Sequence, residues 1–522
     1  MDLFRRSAAI ALVVVALAGA GCDNIPKNAT HSSIPDASIR KGKELAARYC
    51  QSCHLLPDPS LLNAASWEKG VLPAMAPRLG IFTHNGQYYA SAKNDPDLSR
   101  NFYPSKPVIT AEEWQSIIDY YSAVSPDSLQ ASVAPTAVHS NLPLFETRSP
   151  ANRAGVPITT FVQFDTLDGR TSIFTGDMNS RRVYRYNAQL QPVDSLTSLS
   201  PVVQIDRHAG GLLACNIGVM NPNNGHYGTL TSVIAPVNGP MTADTSVRIY
   251  GLSRPVQVTA ADFNKDGITD YLVCEFGHME GELSWMEGKG HHQFTKHVLR
   301  PLPGAIKAYI RDVNKDGLPD IWVLFAQGDE GIFLFTNKGN GAFDQDQKLR
   351  FPPVYGSSGF ELVDFNGDGF EDILYTCGDN ADYSAVLKPY HGLYLYLNDG
   401  HNQFTKAFFY PMFGCYKAIA ADFDGDGDKD IAAISFFADY LRHPEQSFIY
   451  LDNRGEMHFE PWTIPGTDAG RWLSMDAGDI NRDGKTDLIL GNFSMAPSAI
   501  PAAAKWQQGP PFLLLLNTGK KP

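Results

Sequence analysis

The stretch Asp262-Phe-Asn-Lys-Asp-Gly-Ile-Thr-Asp270 follows the pattern D-x-[ND]-x-D-G-x-x-D, and this pattern decides the fold of most of the chain. It returns four more times, as DVNKDGLPD from Asp312, DFNGDGFED from Asp364, DFDGDGDKD from Asp422 and DINRDGKTD from Asp479. The copies start 50 to 58 residues apart. A repeat of that length predicts a stacked or radial array of similar units.

Each copy has the chemistry of a calcium loop. Oxygen-bearing side chains at positions 1, 3, 5 and 9, with a backbone carbonyl at position 7, can surround a hard cation, and the glycine at position 6 permits a sharp turn. An EF-hand would need a glutamate at position 12, where this chain has Val273, Val323, Tyr375, Ala433 and Leu490. We therefore predict up to five Ca²⁺ ions in strand-loop-strand sites, with calcium favoured over magnesium because the ligands all come from the protein. The predicted ligands are Asp262, Asn264, Asp266, Ile268, Asp270, Asp312, Asn314, Asp316, Leu318, Asp320, Asp364, Asn366, Asp368, Phe370, Asp372, Asp422, Asp424, Asp426, Asp428, Asp430, Asp479, Asn481, Asp483, Lys485 and Asp487.

The sequence around each loop predicts four antiparallel strands. A strand precedes the loop, another follows it, and a third leads into a turn of the form Gly-x-x-x-Phe, as at Gly290–Phe294, before a fourth. Two weaker copies, near Asp165 and Val219, bring the number of units to seven, and we expect no calcium in them. The terminal FLLLLNTG, from Phe512, matches a third strand, so the missing outer strand is expected near Leu144-Phe145-Glu146.

These repeats resemble the FG-GAP/VCBS repeats of integrin-like β-propellers. The resemblance covers about 370 residues and implies an all-β, seven-bladed propeller over residues 144–522.

A second motif, Cys50-Gln51-Ser52-Cys53-His54, is typical of covalent attachment of one haem c. In such a motif the two thiols form thioethers with the haem vinyl groups, and the histidine ligates the iron. The alternative is a zinc or redox pair, for which the sequence offers no second ligand pair.

The residues around this motif predict a small helical domain. An apolar-periodic stretch, Ile39–Tyr49, precedes it, and Thr110 with Glu113 forms a capping box for a second helix, Ala111–Val124. Paired helices around a haem loop resemble the cytochrome c family. The predicted fold class is therefore a small all-α cytochrome c domain, residues 37–126, a linker, residues 127–143, and the propeller.

The sixth ligand of the haem iron is open between three choices. Met75, between Pro73 and Pro77, is the methionine of this region and is the preferred choice. His84 is its rival, and a vacant position is the third option. Ligation by histidine and methionine would favour an electron-transfer role.

The amino-terminal residues predict export. Arg5 and Arg6 precede a short apolar run, and small residues lead to Cys22, which resembles a lipoprotein acceptor cysteine. We expect a signal peptide at residues 1–21, a tether at 22–36, and a protein anchored to a membrane by lipid and facing the periplasm or the cell surface. A plain cleaved signal is the alternative. The net charge of -13 argues against a nucleic-acid partner.

A candidate binding face lies opposite the calcium loops, where the second and third strands of each unit are joined. Its predicted residues are His278, Asp379, Asp382, Tyr383, Lys388, His391, Arg442, His443 and Arg471. The two alternatives are a binding or catalytic face over the central channel and a solvated surface. Strands entering from this face add Arg254, Lys307 and Lys417. Four further cysteines, Cys215, Cys274, Cys377 and Cys415, could be bridged or free.

The sequence supports three hypotheses for function. The first is a lipid-anchored c-type cytochrome that transfers electrons to or from a redox partner protein, with the propeller as a docking platform. The second is an oxidoreductase whose small-molecule site on the upper loops passes electrons to the haem. The third is a polysaccharide-binding or adhesion protein with an accessory haem. No catalytic residue is assigned, and the question of an enzyme stays open.

Overall fold

The computed structural model describes residues 25–130, 136–151, 155–167, 169–208, 211–381, 386–495 and 504–522. The predicted lipid-attachment residue Cys22 therefore lies outside the described residues. Twenty-eight of the described strands form seven four-stranded antiparallel sheets, which are the blades of a seven-bladed β-propeller. The predicted blade number is confirmed. No helix in the described part of the chain is long and apolar enough to cross a membrane.

The blades follow one another along the chain, and each is numbered here in that order. The strands are Thr159–Leu167, Arg170–Asp177, Arg182–Tyr186 and Pro192–Thr197 in blade 1; Val202–His208, Gly211–Asn216, Gly228–Ile234 and Thr242–Leu252 in blade 2; Pro255–Ala261, Asp270–Glu275, Glu282–Gly288 and Phe294–Arg300 in blade 3; Ala305–Arg311, Asp320–Phe325, Gly331–Asn337 and Phe343–Arg350 in blade 4; Ser357–Val363, Asp372–Cys377, Gly392–Asn398 and Phe404–Pro411 in blade 5; Cys415–Ala421, Asp430–Ser435, Phe448–Asn453 and Phe459–Trp462 in blade 6; and Trp472–Gly478, Asp487–Asn492, Phe512–Asn517 and Phe145–Arg148 in blade 7.

The outer strand of blade 7 comes from the beginning of the propeller. Phe145 pairs with Asn517, and Arg148 pairs with Leu514, in antiparallel register. The structure confirms the predicted donation of this strand. Because the first and last parts of the propeller share one sheet, the ring is closed by backbone hydrogen bonds.

The second strand of each blade contributes most strongly to the buried apolar core. In blades 3 to 7 all six residues of this strand are buried. Successive side chains point to opposite faces of a strand, so Val323 and Phe325 pack in the cluster with blade 3, while Trp322 and Leu324 pack against blade 5. A strand buried on both faces explains the continuous apolar runs in the sequence.

Side chains of the innermost strands also tie neighbouring blades together around the whole ring. Each of these bonds joins a side chain of one blade to the backbone of the next. They are Thr160 to Val202, Gln204 to Val258, Gln257 to Ala308, Tyr309 to Phe360, Glu361 to Ala420, Lys417 to Met475 and Asp476 to Phe164. All seven junctions are therefore bridged close to the central channel.

The predicted fold class is wrong, because the segment before the propeller is not a small all-α cytochrome c domain. Its two 14-residue helices, Asp36–Tyr49 and Ala111–Val124, are present, and the second has the predicted Thr110–Glu113 capping box. The remaining helices are short, at Cys50–Ser52, Pro59–Leu61, Ala64–Ser66, Trp67–Val71, Leu72–Met75 and Ala76–Leu79, and a hairpin joins Thr83–His84 to Gln87–Tyr88. The chain is mostly β, and prolines, turns and loops occupy much of residues 50–110.

This part of the chain, residues 25–130, is called the N-terminal segment below. Its apolar core is completed by the propeller, since Val354, Val386 and Tyr390 pack against it. Helical periodicity in the sequence identified the two longer helices but could not show that the core between them is shared with another part of the chain.

The upper face of the propeller is the face of the loops that join second to third strands. The N-terminal segment lies on this face. Its polar contacts with the propeller include Asp95 with Asn224, Asp97 with Tyr227, Ser99 with Glu280, Tyr103 with Met279 and Leu61 with Tyr390.

The remaining described helical pieces are short turns at Pro444–Ser447, Thr467–Ala469 and Ala504–Gln508. Cys215, Cys274, Cys377 and Cys415 are buried free thiols in the structure. Burial raises the pKa of all four above its usual range.

Candidate functional site

The five aspartate loops, residues 262–270, 312–320, 364–372, 422–430 and 479–487, each join the first strand of a blade to the second. They lie on the lower face, opposite the N-terminal segment. The glycine at position 6 has a positive φ in every loop, from 80° to 102°, at Gly267 (80°), Gly317 (81°), Gly369 (90°), Gly427 (102°) and Gly484 (82°). Such angles strain any residue with a Cβ atom, which explains the glycine in the pattern.

The first and fifth residues of each loop organise the turn. In the first loop, Asp262 accepts hydrogen bonds from the N–H groups of Asp266 and Gly267, and Asp266 accepts one from Ile268. The same bond to the glycine at position 6 recurs at Asp312, Asp364, Asp422 and Asp479. These bonds hold the carboxylates of the first and fifth residues against the backbone of the turn.

The ninth residue of each loop is buried and has a structural role. Asp270 accepts hydrogen bonds from the N–H groups of Phe263 and Gly288, at 2.9 and 2.8 Å. The same two bonds recur at Asp320, Asp372, Asp430 and Asp487. Each carboxylate oxygen keeps a second lone pair, so these bonds leave room for a cation as well.

The donor set of the loops fits a hard cation. In the loop of blade 6, carboxylate oxygens of Asp422, Asp424 and Asp426 all lie within 4.8 Å of one another. One oxygen of Asp424 is buried without a hydrogen bond, and the Lys521 ammonium lies 3.6 Å from it. Carboxylates held this close repel one another, and a divalent cation with oxygen ligands relieves that repulsion.

The Cys50–His54 motif follows directly on the helix Asp36–Tyr49, in a 3₁₀ turn at Cys50–Ser52. Cys50 and Cys53 are both free thiols. Burial, with the neighbouring Cys53, raises the pKa of Cys50 to about 11. The two thiols are therefore not bridged, and the raised pKa of Cys50 is the opposite of the lowered pKa that activates a redox thiol.

The imidazole of His54 is oriented by the backbone. Its Nδ1 lies 2.8 Å from the carbonyl oxygen of Leu55, and Nδ1–H donates to that oxygen. This bond leaves Nε2 as the atom with a free lone pair. Burial lowers the pKa of His54, which favours the neutral ring that a metal requires.

Met75 and His84, the two rival ligands, lie in different places. Met75 ends the short helix Leu72–Met75 and lines the same cavity as Cys50, Cys53 and His54. His84 lies in the hairpin, where its Nε2 is 2.8 Å from Oε1 of Gln115, and it is not among the residues that line the cavity.

This cavity, called the shared cavity below, has a volume of about 2380 Å³. Trp67, Trp114 and Tyr121 form part of its wall on the N-terminal segment, together with the cysteines, His54 and Met75. The opposite wall is the upper face of the propeller, and from there the cavity continues into the central channel. The residues of the haem-type motif thus face the mouth of the channel.

Two rings of residues from the innermost strands line the channel below. The upper ring is Phe161, Gln204, Gln257, Lys307, Gly359, Lys417 and Ser474, and the lower ring is Gln163, Asp206, Thr259, Tyr309, Glu361, Ile419 and Asp476. Burial and the nearby Lys417 lower the pKa of Lys307 to about 8. Burial raises the pKa of Glu361 and Asp476, although both lysines oppose that shift.

The predicted upper-face residues converge only in part. His278, Asp379 and Lys388 line the shared cavity, as does Arg254. His391 is buried beside Lys388, and its Nε2 has no hydrogen bond. Burial lowers the pKa of His391 well below its usual range.

The other predicted upper-face residues lie away from the cavity. Arg471 is fully buried, donates to the carbonyl oxygens of Phe436 and Met495, and packs 3.7 Å from the centre of the Phe436 ring. The side chains of Arg442 and His443 are 76% and 50% exposed. Asp382 and Tyr383 lie outside the described residues.

Sequence analysis missed Glu361 and Asp476 of the channel, and Asp329 of the cavity wall. The first two occupy the same position in their strands, two residues after the upper-ring position. Aligning the innermost strands of the repeats by their following loops would have placed them on one ring.

The chain contains FG-GAP-like repeats. The FG-GAP-like repeat family matches residues 262–323 and 312–375. Integrin alpha-4 of Xenopus laevis is 28% identical over 142 residues, which are 24% of this chain and 14% of that protein. Cartilage acidic protein 1 of Xenopus tropicalis is 32% identical over 184 residues, which are 32% of this chain and 26% of that protein. The matched region thus spans about a quarter or less of the length of these curated relatives.

Two solved structures also resemble the propeller. The structure of BBS1N in complex with ARL6DN aligns with 73% of this chain and 99% of the other, at a TM-score of 0.43 and 10% identity. The N-terminal domain of Nup159 aligns with 74% of this chain and 99% of the other, at a TM-score of 0.39 and 11% identity.

Proposed function

We propose that this protein carries one covalently attached haem c and transfers electrons, with a calcium-bound propeller that docks a partner or ligand. The observation that supports it most is that Cys50, Cys53, His54 and Met75 all line one cavity, over the mouth of the propeller channel. Four side chains of haem-ligand type therefore line the same cavity, although only three of them are neighbours in sequence.

The residues of the N-terminal segment fit such a group. Cys50 and Cys53 would hold it as thioethers, and His54, whose Nε2 is not used by the bond to Leu55, would bind its iron. Met75, which lines the same cavity, would supply a thioether sulfur to the iron as well. A haem bound there would supply a reversible one-electron couple. The apolar wall of Trp67, Trp114 and Tyr121 would exclude water from its faces.

In this proposal the five aspartate loops hold Ca²⁺ and stabilise the lower face. Each loop stands at the start of a fully buried second strand, so its charge repulsion acts directly on the core of a blade. The exposed upper-face residues away from the N-terminal segment, such as Arg442 and His443, are then left for docking, in keeping with an FG-GAP propeller as a ligand-binding platform. The redox partner would be a protein that reaches the N-terminal segment.

Export belongs to the same proposal. The signal-like residues 1–21 and Cys22 support a lipid-anchored protein that faces the periplasm or the cell surface. Covalent haem attachment and calcium binding are both suited to an exported protein.

The test is an optical and redox titration of the full chain, expressed with haem maturation. We expect a c-type haem spectrum that is reduced and reoxidised reversibly, and its loss in the variant Cys50→Ala/Cys53→Ala. Met75→Ala should keep the attached haem and lower its midpoint potential, because a thioether ligand favours the reduced iron. A double-cysteine variant that kept its haem would contradict the proposal.

An oxidoreductase is the second candidate, because the shared cavity joins the haem-type motif to charged residues of the channel. Lys307, Lys417, Glu361 and Asp476 could bind a polar small molecule within this cavity. Its test adds sugars, alcohols and aldehydes in turn to the oxidised protein. Substrate-dependent reduction of the haem that is lost in Lys307→Met, and kept in the surface variant Lys338→Met, would support an enzyme. Reduction by a protein donor alone would leave an electron carrier.

A further inference from the structure

The loop of blade 6 differs from the other four aspartate loops at its third residue. This residue is Asp424 in blade 6 and asparagine in the others, at Asn264, Asn314, Asn366 and Asn481. Each of these asparagines donates a hydrogen bond from its amide to the carboxylate of the fifth residue of its loop. An ionised Asp424 has only acceptor atoms, so it cannot make this bond. Blade 6 therefore has one more negative charge at the third position and lacks the hydrogen bond that the other loops share.

The third strand of blade 6 adds a carboxylate beside this loop. Asp452 is the last residue but one of the strand Phe448–Asn453. It lies across from Asp430, because the preceding pair of residues, Leu451 and Ile431, is in antiparallel register. Residues directly opposite one another on paired strands share a face of the sheet, with Cβ atoms about 4.5–5.5 Å apart. Asp452 is therefore next to the ninth residue of the loop.

The equivalent position of blade 3 shows what such a side chain can reach. Glu287 lies across from Asp270 there, and its Oε1 is 2.9 Å from the amide nitrogen of Asn264. The amide donates to the carboxylate, so this pair is satisfied without a cation. In blade 6 the same two positions hold Asp424 and Asp452, and two carboxylates cannot hydrogen-bond to each other.

Both carboxylates of this pair in blade 6 are buried. Asp452 is 0% exposed, and neither of its oxygens accepts a hydrogen bond, which is also true of one oxygen of Asp424. Arg454 lies 2.7 Å from Asp452, and Lys521 lies 3.6 Å from Asp424. These two basic side chains are 38% and 56% exposed, and Arg454 also contacts Glu460 at 3.0 Å. Both can therefore turn into solvent when another cation binds the two carboxylates.

We propose that Asp452 is an additional ligand of the blade 6 cation, which makes this the tightest of the five calcium sites. The carboxylates of Asp422, Asp424, Asp426, Asp430 and Asp452 would then all face one Ca²⁺. Calcium accepts six to eight oxygen ligands, and its affinity for a loop depends on the number of charged ligands. This inference rests on the calcium-binding part of the proposed function.

Asp452→Asn keeps the shape of the side chain and removes its charge. The new amide can donate to Asp424, as the amide of Asn264 does to Glu287 in blade 3. The variant should bind Ca²⁺ at blade 6 roughly tenfold or more weakly. In calcium-free buffer its thermal midpoint should equal or exceed that of wild type, because a repulsion between carboxylates is removed. Asp452→Thr gives blade 6 the residue type that blade 4 has at this position, Thr336, and should weaken binding in the same way.

The experiment strips the full-length proteins of calcium and titrates Ca²⁺ back in competition with a chromophoric chelator of known affinity. Calorimetry records the thermal midpoint of each protein with and without Ca²⁺. Glu456→Gln, at an exposed position in the turn after the same strand, is the matched control and should bind Ca²⁺ like wild type.

One tight site in the wild-type protein that is lost in both Asp452 variants and kept in the control supports the proposal. Unchanged Ca²⁺ affinities in the Asp452 variants, or an equal loss of thermal midpoint with and without Ca²⁺, overturn it while leaving calcium binding by the loops intact. A wild-type chain that binds no Ca²⁺ overturns both this inference and the calcium-binding part of the proposed function.

Discussion

At the scale of single residues, the aspartate loops depend on two backbone positions with positive φ. Position 6 is glycine in all five copies, but position 4 is Lys265, Lys315, Gly367, Gly425 or Arg482, with φ from 57° to 76°. The left-handed region is strained for residues with a Cβ atom. Position 4 therefore accepts residues with a Cβ atom despite this strain, whereas position 6 is glycine in all five loops.

Gly267→Ala should destabilise the protein by about 1–2 kcal/mol, since a left-handed alanine is strained. No heavy atom lies within 4 Å of the added Cβ, so the effect is one of backbone strain and not of a clash. Urea unfolding in calcium-free buffer measures it. Lys265→Gly, two residues away, is the control and should change the stability little, because relieved strain offsets the added chain entropy. A neutral Gly267→Ala would contradict this account of the motif.

The channel lysine Lys307 predicts a pH effect. Its pKa is lowered to about 8, below the value of an unfolded lysine, so the unfolded chain binds more protons between these two pKa values. Stability should therefore rise as pH increases from about 8 to 10.5. Lys307→Met should be more stable than wild type at pH 7, by roughly 1–2 kcal/mol after allowance for solvent in the channel.

Unfolding curves at pH 7 and pH 10 separate the effect of the lysine charge from any stabilisation by Lys307→Met that does not depend on charge. The advantage of Lys307→Met should shrink at the higher pH, where the lysine loses its charge in the folded protein. Lys338→Met, at a half-exposed position of blade 4, should show no such change. An advantage of the same size at both pH values would mean that charge is not the cause.

At the scale of elements, the strand Phe145–Arg148 closes the ring. Phe145 is 5% exposed, and its ring centre lies 5.9 Å from those of Phe423 and Tyr450 in blade 6. The strand therefore joins the two ends of the propeller both by its backbone and by a buried side chain.

Phe145→Ala should lower the free energy of unfolding by about 3–5 kcal/mol, because it leaves a cavity between two blades. Glu146→Ala, at the next and exposed position of the same strand, should cost less than about 0.5 kcal/mol. Chemical denaturation of both variants makes the comparison. Similar small effects would show that the donated strand contributes little to closure.

The elements of the propeller could be predicted from the sequence because their signals are local and repeated. The five aspartate loops and the Gly-x-x-x-Phe turns recur at equivalent positions of the blades that contain them. No strand follows the terminal FLLLLNTG in the sequence, which indicates that its outer partner strand comes from elsewhere in the chain. The structure of residues 50–110 has no such repeat. Its core includes Val354 and Tyr390, more than 200 residues away, and a contact of that kind leaves no periodic signal.

The candidate site could be predicted only where a motif is contiguous. The Cys50–His54 motif is recognised directly in the sequence, and Met75 is a candidate haem ligand because of its thioether side chain. Asp329 of the cavity wall cannot be recognised in this way, because its position depends on how the N-terminal segment sits on blade 4. His391 and Arg471 have side chains that are common in binding sites, but in the structure both are buried within the fold.

At the scale of the whole molecule, much of the negative charge lies on the lower face of the propeller. The chain has a net charge of -13, and many of its acidic side chains stand in the five aspartate loops on the lower face. Five divalent cations would offset ten of these charges. The upper face, covered by the N-terminal segment, contains the shared cavity instead.

Removal of calcium with a chelator should lower the thermal midpoint of the full chain. Each site at a free Ca²⁺ concentration of a hundred times its Kd contributes about 2.7 kcal/mol, and this is lost on chelation. Scanning calorimetry with chelator, with Ca²⁺ and with equal Mg²⁺ measures it, and Mg²⁺ should restore less because it demands a smaller, octahedral site. An unchanged midpoint would contradict cation binding by the loops.

The measurement that tests the central claim most directly is the mass of the full chain after expression with haem maturation, followed by mapping of its peptides. The account predicts the mass of one added haem per chain, located on the peptide that contains Cys50 and Cys53. A polypeptide of unmodified mass, with both thiols free to react, would contradict it.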